Sequence, residues 1–354
     1  MFRKILYGML IFVPLALFAD FVLKADPVLV FIFAGLGIIP LADFIGEATE
    51  ELSVHTGPKL GGLLNATLGN AAELIITIFA LNEGLLDLVR ASITGSIIGN
   101  LLLVLGLSLL LGGLKNGVQS FDRRTAAMNA TLLVLAVVAL MIPSFFDIAI
   151  QEDKAAEVGL SEGVAVIMII LYGLSVLYSF KQDDSSLSHS ESKEEHHSKW
   201  TVKQSLIVLA AATLGIVFMS EILVGAVEHV TETLHLTEIF IGIILIPLVG
   251  NIAEHLVAVE VAYKDKMELS LAVSLGSSLQ IALFVAPVLV FISLFFDETL
   301  LLVFSEFELI ALGAASFIAA FVAQDGESNW LEGAMLLAVY FMIGLAFYYL
   351  PAAT

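Results

Sequence analysis

No cysteine occurs among the 354 residues, so disulfides and thiolate metal sites are both excluded, and the redox compartment leaves no mark on the sequence. Positive charge is scarce as well: 15 Lys and Arg stand against 35 Asp and Glu, a formal net charge of −20. A chain so short of bases is not built to hold nucleic acid or an anionic lipid surface as its main task. Charged residues of both signs make up only 14% of the chain and crowd the gaps between apolar runs. Acids placed in such gaps make negative mouths that concentrate cations, although an acid-rich surface fits a saline habitat equally well.

What fills the rest is apolar. The chain is 59% apolar with a mean hydropathy of +1.00, against roughly 45–50% for a soluble domain. Many runs reach the ~20 residues that cross a bilayer core. Runs near 4–23, 27–54, 60–82, 86–111, 123–143, 161–180, 201–229, 236–263, 267–296, 301–322 and 329–350 predict an all-α polytopic membrane protein of eleven transmembrane helices. The first run follows Arg3 and Lys4 and lacks a small-residue cleavage site, so it reads as a retained helix and not as a signal peptide. The only long polar stretch, Lys181 to Lys199, carries Asp183, Asp184, His189, Glu191, Glu194, Glu195, His196 and His197. It reads as a solvated hinge, with sensing of Ca²⁺ or pH as the competing role.

Numbering the gaps alternately gathers twelve Lys and Arg on one side and only Lys24, Arg90 and Lys154 on the other. Cytoplasmic loops carry the excess of positive charge, so the N-terminus and the polar stretch are expected in the cytoplasm and the C-terminus outside. The membrane is expected to be the plasma membrane of a prokaryotic cell.

The sequence also repeats. Gly69-Asn70-Ala71-Ala72-Glu73 lies over Gly250-Asn251-Ile252-Ala253-Glu254 at a shift of 181 residues. The same shift lays Gly95-Ser96 on Gly276-Ser277, Glu47 on Glu228 and Glu51 on Glu232. The expected organisation is an extra first helix (1–26), a first repeat (27–180, helices 2–6), an acidic cytoplasmic linker (181–200) and a second repeat (201–354, helices 7–11). Five crossings per copy is an odd number, so the copies are inverted, and inverted repeats meeting at the midplane are a recurrent plan of secondary transporters.

Glu73 and Glu254 lie midway along helices 3 and 8 in apolar surroundings. A carboxylate there costs at least ~2.5–3.5 kcal/mol on insertion scales and calls for a purpose. Residues three apart share a helix face, so Asn70 stands beside Glu73 and Asn251 beside Glu254. Gly61, Gly62 and Gly69, and Pro247 with Gly250, loosen the helices just ahead of the acids. Carboxylate, amide and backbone oxygens without sulfur suit a hard cation, Ca²⁺ above Mg²⁺. Two carboxylates in low dielectric repel each other and take up either protons or one divalent cation, so the two cargoes compete for the same oxygens.

Ser96 and Ser277 are expected to line the site or to pack helices closely, and Asn100 and Gln280 to reach it from unmatched positions. His255, which has Leu74 as its counterpart, relays protons or packs. Glu47, Glu221 and Glu228 are expected along access paths, with Glu50, Glu51 and Glu232 either in the same acidic funnels or at solvated helix ends.

These motifs, together with Gly95-Ser96-Ile97-Ile98-Gly99-Asn100 and Gly276-Ser277-Ser278-Leu279-Gln280, resemble the repeat signatures of the cation/proton exchanger family over essentially the whole chain. The resemblance implies Ca²⁺/H⁺ exchange by alternating access, with Glu73 and Glu254 binding metal or protons and helices 2 and 7 sliding as gates. Ile252 stands where the family usually has Ala. No cofactor beyond the transported ions is expected; the partners are Ca²⁺, H⁺ and the lipid bilayer, with a homo-oligomer compatible and no nucleic acid. A Na⁺- or Mn²⁺-moving exchanger of the same superfamily is the competing reading, weakened for Na⁺ because both core motifs are poor in small hydroxyl ligands. A passive channel is disfavoured by the paired central acids, and an intramembrane metalloprotease by the lack of HExxH.

Overall fold

The computed structural model describes residues 2–150, 152–186 and 199–351. The heart of the polar stretch, 187–198, with His189, Glu191, Glu194, Glu195, His196 and His197, lies outside the described residues. The helices are α1 (Ile5–Leu23), α2 (Pro27–Thr56), α3 (Pro58–Leu68), α4 (Ala71–Asn82), α5 (Leu86–Asn116), α6 (Arg123–Ile150) and α7 (Lys154–Ser186) in the first half. The second half has α8 (Val202–Gly225), α9 (Val227–Leu234), α10 (Glu238–Gly250), α11 (Ile252–Tyr263), α12 (Met267–Ser293), α13 (Glu306–Val322) and α14 (Trp330–Tyr348).

Helix starts follow from capping. Asp26 caps α2 through Val28 N at 2.8 Å, with Pro27 in the first turn. Reciprocal capping boxes open α8 (Thr201 with Gln204), α13 (Ser305 with Glu308) and α14 (Asn329 with Glu332). Gly57 and Gly117 end α2 and α5, both at a φ of +82°, a conformation that spares glycine the Cβ clash.

Among the described residues eight helices, α1, α2, α5, α6, α7, α8, α12 and α14, are long and apolar enough to cross a membrane, and a ninth follows if α9 and α10, bent by 112°, count as one span. The bounds of several of the eleven runs expected from hydropathy are adjusted. The third and eighth are each broken, at 69–70 and at 251, and the tenth begins at Glu306 and has 17 residues. The seventh stops at Gly225, while the sixth continues helically to Ser186. Hydropathy averages over such breaks because the residues on both sides are equally apolar.

The outer faces are unlike those of a water-soluble protein. Phe145 on α6, Phe317 on α13 and Phe341 on α14 are each more than 60% exposed. Aromatic side chains so displayed along several long helices match hydrocarbon and not water. The chain is an integral membrane protein. Inside this belt, α2 lies along α8 in the most extensive helix interface of the molecule, while α5 and α12 pass through the centre.

Short polar contacts fix the ends. Gln119–Ser120 pairs antiparallel with Glu327–Ser328, and Gln119 Nε2 donates to the Ala262 carbonyl and to Asp265 Oδ1, each at 2.9 Å. The strand-free connection before α13 is pinned by buried serines: Ser144 Oγ donates to the Leu302 carbonyl at 3.2 Å and receives Phe304 N at 2.9 Å, and Ser161 Oγ receives Leu302 N at 3.2 Å.

Candidate functional site

The two helix breaks face each other at the centre. Asn70 (φ −96°, ψ 22°) and Asn251 (φ −101°, ψ 4°) hold nearly the same non-helical backbone, each just ahead of a half-helix, α4 or α11. Glu73 and Glu254 fall in the first turns of those half-helices. Unpaired N–H groups and the helix dipole favour negative charge there. The opposing half-helices, α3 and α10, bring their C-terminal carbonyl ends to the same place, which favours a cation between them.

Each acid packs on the glycine of the other motif. A Cβ placed on Gly69 would stand 3.0 Å from Glu254 Oε1, and one placed on Gly250 would stand 3.3 Å from Glu73 Cδ. Both glycines are thus needed for the space they leave. Glu73 is 2% exposed, whereas Glu254 is only partly buried.

Amides and hydroxyls from both halves surround the pair. Asn251 Nδ2 donates to Ser96 Oγ at 3.1 Å, and Asn70 Nδ2 to Gln280 Oε1 at 2.7 Å. Asn100 Nδ2 donates to Ser277 Oγ at 3.0 Å, and Ser277 Oγ donates to Glu254 Oε2 at 2.7 Å. The NH₂ groups of Asn70, Asn100 and Asn251 are each spent on a neutral oxygen, which leaves carbonyl oxygens over. Among the described residues, Asn70 Oδ1, Asn251 Oδ1 and both carboxylate oxygens of Glu73 are buried without a hydrogen-bond partner. Neither glutamate pairs with a lysine or arginine among them. Four bare oxygens in one dry pocket are unfavourable unless protons or a cation fill the gap. Two carboxylates with neutral amide oxygens suit a hard divalent ion.

Helical distortions mark the same region. The turns Gly99–Val104 in α5 and Ile281–Val285 in α12 are π-helical and begin about one helical turn after Ser96 and Ser277. Such turns recur at functional sites because the extra residue re-aims the side chains around it.

The structure therefore brings together Glu73, Glu254, Asn70, Asn251, Gly69, Gly250, Ser96, Ser277, Asn100 and Gln280. His255 is buried beside Glu254, and among the described residues its Nε2 has no partner. Glu47 is half-buried on α2, whereas Glu221 on α8 and Glu228 on α9 are exposed, and none of the three bonds to the central pair. Glu51 is engaged elsewhere: its Oε2 accepts from Lys199 N at 2.8 Å and from Trp200 N at 3.1 Å, and His55 Nε2 sits 2.8 Å from the Trp200 carbonyl. The foot of α2 is thereby clipped to the residues that lead into α8. A further buried acid, Glu308, was not singled out from the sequence. It caps α13 and accepts from Thr94 Oγ1 at 3.1 Å, and its signal was the Ser305-x-x-Glu308 capping pattern.

Comparison with known proteins matches this geometry to a family. The family model described as sodium/calcium exchanger protein matches residues 27–181 and 204–349, leaving out the polar stretch. A protein of Aphanothece halophytica named Ca(2+)/H(+) antiporter is 46% identical over 369 residues, covering 99% of this chain and 97% of that one. The solved Ca2+/H+ antiporter protein YfkE superposes with a TM-score of 0.86 at 41% identity, covering 98% of this chain and 100% of that one. A solved H+/Ca2+ exchanger CAX shares the fold, with a TM-score of 0.74 at 16% identity over 98% of this chain and 92% of that one. With the family model covering both halves and close relatives matched from end to end, the chain belongs to the sodium/calcium exchanger protein family.

Proposed function

We propose that this protein is a secondary antiporter, not an enzyme, that exchanges Ca²⁺ for H⁺ across the membrane by alternating access. Glu73 and Glu254 hold either the cation or protons. The observation that carries this reading is the set of four buried, unpartnered oxygens on Asn70, Glu73 and Asn251 beside Glu254. A dry, doubly negative pocket reopens only after its charge is neutralised, and protons or one divalent cation do so equally. Asn70, Glu73, Asn251 and Glu254 supply the protein's ligands, with the amide N–H groups turned away so that carbonyl oxygens face the ion.

Alternation is supported by a difference between the two halves. On one side α10 closes on α5: a Cβ at Gly242 would come within 2.5 Å of Ala91 Cβ, and one at Gly95 would overlap the Ile243 carbonyl. At the matching positions 181 residues away, a Cβ at Gly276 would meet nothing within 4 Å among the described residues, and the atoms nearest a Cβ at Gly61 belong to Ser53 of α2. On this side a groove between α6, α7 and α12 is lined by Asn129, Leu171, Tyr172, Tyr178, Gly276 and Gln280, and Gln280 is the residue that takes the amide of Asn70. One repeat is shut over the site and the other is open, and exchanging these postures would move the opening to the opposite side.

The finer organisation belongs to the same proposal: eleven crossings with α3–α4 and α10–α11 as broken spans, inverted repeats at 27–180 and 201–354, and the N-terminus in the cytoplasm. The open groove, on the side of Lys115 and Lys264, then faces inward. Glu47, Glu221 and Glu228 serve as cation approaches, and His255 packs beside the path. Relatives named Ca(2+)/H(+) antiporter favour protons over Na⁺ as counter-ion.

The test is ⁴⁵Ca²⁺ uptake into proteoliposomes driven by a pH gradient, with a Na⁺ gradient and Mn²⁺ competition as comparisons. Glu73→Gln and Glu254→Gln, each mimicking a fixed proton, are expected to abolish exchange. Normal transport by both variants, or uptake that follows Na⁺ instead of pH, would sink this function.

A further inference from the structure

The two halves of the site are built alike but wired differently. Asn251 of the second motif donates to Ser96 of the first half at 3.1 Å. The symmetric counterpart would join Asn70 to Ser277, but that bond is not made: Asn70 turns to Gln280 instead, at 2.7 Å. Ser277 is already occupied, because Asn100 Nδ2 reaches its oxygen at 3.0 Å.

A serine hydroxyl carries one proton and two lone pairs. With a lone pair of Ser277 engaged by the Asn100 amide, the hydroxyl proton is turned to Glu254 Oε2, 2.7 Å away. No such hydroxyl reaches the other acid, since among the described residues both Glu73 oxygens lack a partner. The cause of the asymmetry lies in two unmatched amides. At the shift of 181 residues, Asn100 falls on Ile281 and Gln280 on Gly99. Asn100 reaches across from α5 to α12 because it stands in the π-helical turn Gly99–Val104, where the helical register is displaced, and it is 1% exposed.

We infer that Asn100 is a positioning residue of the cation site: it fixes the direction of the Ser277 hydroxyl and so holds Glu254 in one orientation, while Glu73 stays free to turn onto the incoming ion. Asn100 acts through Ser277 and donates no oxygen to the cation. Gln280 completes the arrangement by taking the amide of Asn70, leaving Asn70 Oδ1 bare. One acid is preset and the other closes on the ligand, which gives tight binding without a rigid cage on both sides.

This inference rests on the Ca²⁺/H⁺ reading, and its test is a double-mutant cycle on the full chain. Ca²⁺ KM and Vmax are measured for pH-driven uptake by wild type, Asn100→Ala, Ser277→Ala and the double variant, with equilibrium Ca²⁺ binding by calorimetry on the same purified proteins. Outer-shell partners of metal ligands usually contribute about 10–100-fold in affinity. Asn100→Ala and Ser277→Ala are each expected to raise KM and Kd by a factor in that range while Vmax changes less than about two-fold, and the double variant to be no worse than Ser277→Ala alone. Asn100→Leu, which keeps the volume, guards against a packing defect in the smaller variant and is expected to behave as Asn100→Ala does. Losses that multiply in the double variant, or wild-type affinity in both Asn100 variants, overturn the inference. Absence of pH-driven uptake in the wild type overturns the Ca²⁺/H⁺ reading itself.

Discussion

Glu254 rests on Gly69: its Oε1 lies 3.0 Å from the point where a Cβ on that glycine would stand, and the same Cβ would come within 2.7 Å of the Asn65 carbonyl. Gly250 gives the matching berth to Glu73 at 3.3 Å. The acids of the two halves approach each other only because each faces a residue without a side chain.

Gly69→Ala is therefore expected to depress Ca²⁺ transport at least about ten-fold, since the methyl meets a fixed backbone carbonyl and must displace the carboxylate. Gly250→Ala, whose tight 3.3 Å contact is with a side chain that can turn and not with backbone, is expected to be milder. Proteoliposome uptake and Ca²⁺ titration of both variants check the order. Equal effects would mean that the two half-sites tolerate crowding alike.

The berth at Gly276 yields a prediction that separates folding from transport. A Cβ at Gly276 meets nothing within 4 Å among the described residues, so the purified Gly276→Leu protein is expected to melt within a few degrees of wild type. Transport is expected to fall at least ten-fold, because α3 can no longer close there. Gly95→Leu, which drives a side chain into the Ile243 backbone, is expected to destabilise the protein by more than ~1–3 kcal/mol. Thermal melts and uptake assays on the two variants separate these outcomes.

A cysteine-free chain lends itself to a direct check of closure. By analogy with the Gly242–Ala91 contact, Gly61 should meet Ala272 when the open side shuts. A Gly61→Cys/Ala272→Cys variant is expected to form a disulfide under oxidation and lose transport, and to regain it on reduction. An absence of cross-linking under conditions of active turnover would show that α3 does not travel to α12.

Ser144 tests the fold apart from the site. Its hydroxyl serves both the Leu302 carbonyl and Phe304 N in a buried connection. Ser144→Ala leaves two buried backbone groups unpaired, a loss of about 2 kcal/mol, while Ca²⁺ KM is expected to stay unchanged. Chemical or thermal unfolding in detergent, read beside KM, distinguishes this from a site defect.

Much of this was legible in the residue string. Apolar content and run length determined a membrane protein, and the repeated Gly-Asn-x-x-Glu motif determined two equivalent acids, because a buried carboxylate beside an amide is too costly in a bilayer to recur without use. Helix limits were less legible, since the breaks at Asn70 and Asn251 interrupt hydrogen bonding and not hydropathy.

The tertiary structure alone decided which groups touch. Sequence shift pairs Ser96 with Ser277 as equals, yet one receives an amide and the other grips Glu254, because Asn100 arrives from a π-helical turn that local composition does not reveal. Likewise Glu51 reads from the sequence as a funnel acid or a solvated helix end, and is bonded to the backbone leading into α8. The repeat supplied two copies of one chemistry; their unequal packing, tight at Gly95 and, among the described residues, without a neighbour at Gly276, is a property of assembled helices, for which identical residues permit either posture.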